Sequence, residues 1–141
     1  MSPSLDREEA NRRLLAAQFG VLATITPDGS PHAVPITFAV VDDLVVTAVD
    51  HKPKRSTRLQ RIVNLETTPS ACLLVHLDHS DWDRLWWVRA DLRGGPVTDP
   101  DLQELALDAL VDKYPQYREH PPAGTVIGLR IERITAWAAE R

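Results

Sequence analysis

The sequence predicts an α+β protein: a small six-stranded antiparallel β-barrel with flanking helices. Three observations predict it. Short apolar runs with strand character recur along the chain, separated by Pro, Gly, Asp and Ser turn residues. Between them lie segments with helix-start signals. The run "LVVTAV" is apolar on both faces, which suits a strand covered on both sides, as in a closed barrel packed against helices.

The first element is a helix in "SLDREEANRRLLAAQFG". Ser4 or Asp6 is its N-cap, acids fill the first turn, Leu14 and Leu15 form an apolar side, and Gly20 is the expected stop. "VLATIT" is a strand, and "PDGS" turns it, with Pro27 presetting φ and Gly29 accepting a positive φ. "PHAVPITFAV" resumes the strand and "VDD" at 41–43 turns it again. "LVVTAV" then completes a three-stranded antiparallel meander from about residue 20 to 49. After Pro53 the chain reads as helix, with Leu59, Ile62 and Val63 on one face and Lys54, Arg58 and Arg61 on another. "SACLLVHL" is a buried strand, "DHSDWD" a polar connection, and "RLWWVRADLRGGPV" the next strand. Asp99 caps and Pro100 opens the helix "DLQELALDALVDKY". "PQYREHPPAG" reads as an irregular loop and "TVIGLRIERITAWAAE" as the closing strand. With no repeat, low-complexity segment or linker, residues 1–141 are expected to form one domain.

Composition narrows the function. The chain has 141 residues, 43% of them hydrophobic and 26% charged, as ordinary globular domains do. Its apolar runs are far too short to span a bilayer, and "MSPSLDREEANRR" is polar where a signal peptide needs an apolar stretch. Cys72 is the single cysteine, so no internal disulfide is possible, and a cytoplasmic location is expected. A net charge of −4 argues against nucleic-acid binding, which draws most of its affinity from phosphate neutralisation.

Against that acidic background, Lys52, Lys54, Arg55, Arg58 and Arg61 fall within ten positions. Charge-assisted bonds from Lys and Arg, with amides at a helix start, are what a phosphate group requires. A solvated helix with a positive face is the alternative.

Four stretches in order resemble the pyridoxamine 5′-phosphate oxidase-like split-barrel family. They are "GVLATITPDGSPHAVPITFAV", "DHKPKRSTRLQRIVNLETTPSACLLV", "WWVRADLRGGPV" and "PPAGTVIGLRIERITAW". Together they cover nearly the whole chain, and they look closest to the actinobacterial branch that uses the deazaflavin coenzyme F420. The resemblance implies a homodimer of split barrels with a cofactor at each of two sites between subunits, and a small-molecule substrate in the cleft. It implies that Lys52, Lys54, Arg55 and Arg58, with the Ser56 and Thr57 hydroxyls, hold the cofactor phosphate. It places the ring system against His32, Val34, Pro35 and Ile36 of one strand and Thr47 and Ala48 of the next. The implied activity is hydride transfer with coenzyme F420. FMN is the alternative cofactor, and a non-catalytic cofactor-binding protein the alternative role. No catalytic acid or base is expected, because the cofactor carries the chemistry.

Several other residues invite assignment. Pro35 suits a bulge or a ligand beside its strand, or a simple open edge. Trp86 and Trp87, adjacent on a strand, face opposite sides, so one fills the barrel while Trp87 meets a partner or the cofactor ring. Burial without function also accounts for any of Trp82, Trp86, Trp87 and Trp137. Arg89 shares a side with Trp87, facing either an anion or a salt-bridge partner. "HLDHSDWD" lacks metal-ligand spacing and reads as a polar hairpin, so no metal is expected. No G-x-S-x-G elbow is present, and Cys72 lies in a strand of buried character, so neither offers a nucleophile.

Overall fold

A computed structural model describes residues 5–49 and 59–139. The elements run α1 (Arg7–Ala16), β1 (Gly20–Ile25), β2 (Pro31–Ile36), β3 (Ala39–Val41), β4 (Leu44–Ala48), α2 (Gln60–Thr67) and β5 (Ser70–Leu77). A single 3₁₀ turn at Trp82–Arg84 precedes β6 (Trp86–Pro96), followed by α3 (Pro100–Lys113), α4 (Pro115–Glu119) and β7 (Val126–Ala138).

Local chemistry accounts for most of the boundaries. Asp6 caps α1 by accepting from the Glu9 amide at 2.9 Å, and Asp99 caps α3 by accepting from the Asp101 amide at 3.0 Å. The β1–β2 turn has Gly29 at φ 88°, with Asp28 accepting from the Thr26 hydroxyl and the Ser30 amide. Those bonds hold the exposed Asp28 carboxyl below its ordinary pKa. Asp42 takes φ 56° in the β3–β4 turn, a conformation Asp tolerates better than most residues. Gly20 does not stop α1, which ends at Ala16; it opens β1, where a Cβ would lie 2.7 Å from Leu73 Cδ1. Residues 115–119, expected as irregular loop, form the short helix α4, with Pro115 at its first position.

Among the described residues seven strands, rather than six, form one antiparallel sheet in the order β2-β1-β5-β6-β7-β4-β3. The extra strand arises because residues 31–41 break in two. β2 pairs with β1 at one edge while β3 pairs with β4 at the other, so the expected three-stranded meander is divided. Only Thr37 and Phe38 separate these opposite edges, a span of at most about 11 Å. The sheet must therefore curl until its edges meet there. They meet through the chain and not through a ladder, which leaves the barrel split.

The inner face holds the main core: Leu22, Ile36, Val45, Leu73, Val75, Val88, Ala90, Leu92 and Leu129, with Ala10 and Leu14 of α1 and Ile62 and Leu65 of α2. A second cluster lies between α3–α4 and the outer side of β3–β4, where Ala106, Leu110, Tyr114 and Tyr117 cover Ala39, Val46, Ala48 and Val126. A register shift between Asp91 and Leu92 bends the long β6–β7 pair. Among the described residues no helix is long and apolar enough to cross a membrane.

Candidate functional site

The phosphate-site candidates Lys52, Lys54, Arg55, Ser56, Thr57 and Arg58 lie outside the described residues. What surrounds them is defined. Val49, which follows β4, is buried in the core, and α2 begins at Gln60. Leu59 is extended (φ −64°, ψ 144°), so the helical face expected to hold Lys54, Arg58 and Arg61 does not run through it. Of the expected apolar side, Ile62 is buried in the core while Leu59 and Val63 are half-buried.

The β1–β2 register runs without a shift from Gly20 opposite Ile36 to Ile25 opposite Pro31. Pro35 therefore marks an open sheet edge and not a bulge. Strand alternation sends His32, Val34 and Ile36 to the inner face and Pro31, Ala33 and Pro35 outward. Ile36 and Thr47 are 5% and 1% exposed as whole residues, so within one chain neither is open to a ligand. The Thr47 hydroxyl also donates to the Thr37 carbonyl at 2.7 Å. Ala48 lies on the opposite face of β4, in the cluster beneath α3–α4. One chain thus brings His32 and Val34 together but leaves Ala48 and Trp87 on other surfaces.

His32 carries the site's unsatisfied atom. Its Nδ1 is buried and has no hydrogen-bond partner. Opposite it stands Thr24, whose Oγ1 accepts from Asn64 Nδ2 at 3.0 Å, and Asn64 Oδ1 accepts from Gln60 Nε2 at 2.8 Å. Sequence reading missed these three polar residues. The signal was present: Thr24 shares the strand face of Leu22, and Asn64 lies among Ile62 and Leu65 on α2.

The outer face of β1, β2, β5, β6 and the end of β7 presents Ala33, Pro35, Val21, Leu74, Trp87 and Trp137, none of which belongs to either core cluster. Trp87 stands opposite Trp137, and the Arg89 guanidinium lies 5.6 Å from the Trp87 ring centroid. Asp91 is 3.6 Å from both Arg89 and Arg133. Trp86, on the other side of its strand, packs on the main core, while Trp82 is 78% exposed. Cys72 faces outward and is half-buried; burial, then the Asp91 carboxylate, push its thiol up and make the thiolate scarce. Among the described residues no group of three His, Cys, Asp or Glu is placed to hold a metal.

A curled antiparallel sheet whose two edges meet through the chain and not through a ladder is a split barrel. The chain belongs to the pyridoxamine 5′-phosphate oxidase family, whose pattern it matches over residues 7–138. Solved structures share the fold at low identity. The conserved hypothetical protein Rv2991 from Mycobacterium tuberculosis is 22% identical, with TM-score 0.77 over 96% of this chain and 86% of that one. A FAD-binding protein from Mesorhizobium loti is 18% identical, with TM-score 0.72 over 96% and 95%. The haem storage protein HutZ from Vibrio cholerae is 13% identical, with TM-score 0.70 over 94% and 93%. A comparison with curated proteins finds no match.

Proposed function

We propose that this chain is a flavin-type oxidoreductase that works as a homodimer, with deazaflavin coenzyme F420 as its cofactor and a small conjugated molecule as its substrate. The observation that carries this reading is the cation cluster Lys52, Lys54, Arg55 and Arg58, which falls in sequence between β4 and α2 of a chain in this family, with Arg61 in the first turn of α2. Such a cluster suits a phosphate-bearing cofactor. The buried, unpartnered Nδ1 of His32 fits a ligand that brings a polar group to that end of β2. A bound deazaflavin would supply hydride transfer. This chain would supply the phosphate contacts of residues 52–58, the open β2 edge against which a ring can lie, and apolar walls that exclude water.

The outer sheet face supports the dimer. It is apolar at Ala33, Pro35, Leu74 and Trp87, with Arg89, Asp91 and Arg133 beside them, the pattern of an apolar patch with a charged margin.

FMN or FAD is the second reading, and the FAD-binding protein from Mesorhizobium loti favours it. The haem storage protein among the similar folds favours a role in binding without turnover. Fluorescence titration with F420, FMN and FAD, followed by turnover with reduced cofactor, separates these readings. Tighter binding of F420 with turnover is the expected result. Tighter FMN or FAD binding moves the assignment to an ordinary flavin. Binding without turnover favours a carrier, and no binding refutes the reading.

A further inference from the structure

A cavity of about 270 Å³ opens between α1, the β3–β4 turn and β7. Arg7, Asn11, Leu14 and Leu15 recur at helical spacing and form its α1 wall. Val40 of β3 and Ile131 and Ile134 of β7 make an apolar floor. The Asp43 carbonyl accepts from the Ile131 amide at 2.8 Å, which ties the turn to that floor. Leu44 to Ala48 spans about 13 Å along β4, so the cavity lies at the end of that strand away from Val49. None of the residues assigned to the cofactor lines it. Its volume falls below the roughly 300–1,000 Å³ of pockets for drug-sized ligands, so it suits a molecule smaller than a flavin.

The rim of this cavity carries both signs of charge. Arg7 and Asn11 stand on the α1 side, Asp42 and Asp43 on the turn side. Among the described residues none of these four side chains takes part in a hydrogen bond or ion pair. Elsewhere on α1 the cations are committed, since Arg12 and Arg13 both pair with Glu9. Leu15 is 52% exposed at the mouth, a large apolar side chain standing beside an apolar floor.

We propose that this cavity is a second ligand site, one for a small zwitterion with an apolar body, of the class of a free apolar amino acid or a short apolar peptide. Arg7, with the Asn11 amide, receives the carboxylate, and Asp42 and Asp43 receive the ammonium. The apolar body lies against Leu15 and the floor of Val40, Ile131 and Ile134. A simple anion would meet two carboxylates and a simple cation the guanidinium, so a molecule bearing both charges matches the rim better than either. Burial of the apolar body adds affinity in proportion to the area covered. The inference does not depend on which cofactor the chain takes.

The test is an NMR chemical-shift titration of the ¹⁵N-labelled full chain with L-leucine and with L-leucyl-L-leucine, which hold the same two charges at different separations. At least one is expected to saturate with a Kd at or below about 1 mM, with the shifts centred on the amides of Asn11, Val40 and Ile134. The N-acetylated form of that probe lacks the ammonium and its C-terminal amide lacks the carboxylate. Each is expected to bind at least about tenfold more weakly, as is glycine, which lacks the apolar body. Arg7→Gln and the double variant Asp42→Asn/Asp43→Asn are expected to lose about tenfold in affinity for the unmodified probe. Both should keep the wild-type melting temperature, because the three residues are exposed and Asn accepts the positive φ of Asp42. No saturable binding of either probe would overturn the proposal. So would charge-blocked forms that bind as tightly as the probe, variants with wild-type affinity, or displacement of the probe by FMN, which would place it in the cofactor cleft.

Discussion

The Tyr114 hydroxyl meets the backbone of Phe38 twice, accepting from its amide at 3.0 Å and lying 2.9 Å from its carbonyl oxygen. Phe38 is where the two edges of the curled sheet meet. Tyr114 also reaches the Gln18 carbonyl at 2.7 Å, and the neighbouring Thr37 hydroxyl lies 2.6 Å from Tyr117 Oη. The α3–α4 corner thus holds the crossover with side chains where no ladder bond exists.

Tyr114→Phe is therefore expected to destabilise the fold by about 1–3 kcal/mol, because it strips the buried Phe38 amide of its acceptor. Thermal unfolding is expected to show a fall of roughly 3–10 °C. An unchanged melting temperature would remove the corner from the account of how the sheet closes.

Lys113 bonds the same crossover. Its Nζ donates to the Ala17 and Phe38 carbonyls at 2.7 and 2.9 Å and lies 4.1 Å from the Phe38 ring centroid. Burial pushes the ammonium down to about 8 from its ordinary 10.5. Above pH 8 the folded chain releases this proton while the unfolded chain keeps it, so the contribution of Lys113 to stability rises with pH toward 10.5. Unfolding of the wild type and Lys113→Met between pH 7 and 9.5 is expected to shift in favour of the wild type as pH rises. A constant or reversed difference would contradict this.

Gly94 sits in β6 at φ 154°, and a Cβ there would run into the Gly128 carbonyl oxygen of β7. Gly29 also has a positive φ, 88°, but open space around it. Gly94→Ala is expected to give little folded protein, and Gly29→Ala a folded protein weakened by about 1 kcal/mol. Comparable melting temperatures for the two would sink the close-approach argument.

Much of this fold was legible in the sequence. The turn at Pro27–Ser30, the Asp99–Pro100 helix start and the opposite facing of Trp86 and Trp87 follow from local chemistry, and the structure carries all three. The break at Thr37–Phe38 was not legible. Residues 31–41 read as one apolar strand, and only tertiary closure, held by Tyr114 and Lys113 some 75 residues away, splits them. Lys113 stands in the last turn of α3, where a cation is ordinary, and nothing local marks its bonds to the crossover. Of the site, the sequence nominated His32, Val34, Pro35 and Ile36 together without dividing them between the two faces of β2, and no local signal joined Thr24 to Asn64 across 40 residues.

The open sheet face predicts self-association. Ala33 is exposed on it, opposite Ala23, so Ala33→Glu is expected to leave each subunit folded while converting dimer to monomer. Light scattering at micromolar concentration reads the mass directly. A monomeric wild type would count against a site completed by two subunits.

The most direct test of the central claim is cofactor affinity in the wild type and Arg58→Ala, measured with F420 and FMN at two salt concentrations. If the cation cluster holds the cofactor phosphate, Arg58→Ala weakens binding by roughly 1.5–3 kcal/mol, about ten- to a hundredfold, while apo stability changes by no more than about 0.5 kcal/mol. Added salt weakens the wild type more than the variant. An Arg58→Ala protein with wild-type affinity and salt dependence would show that the phosphate is held elsewhere.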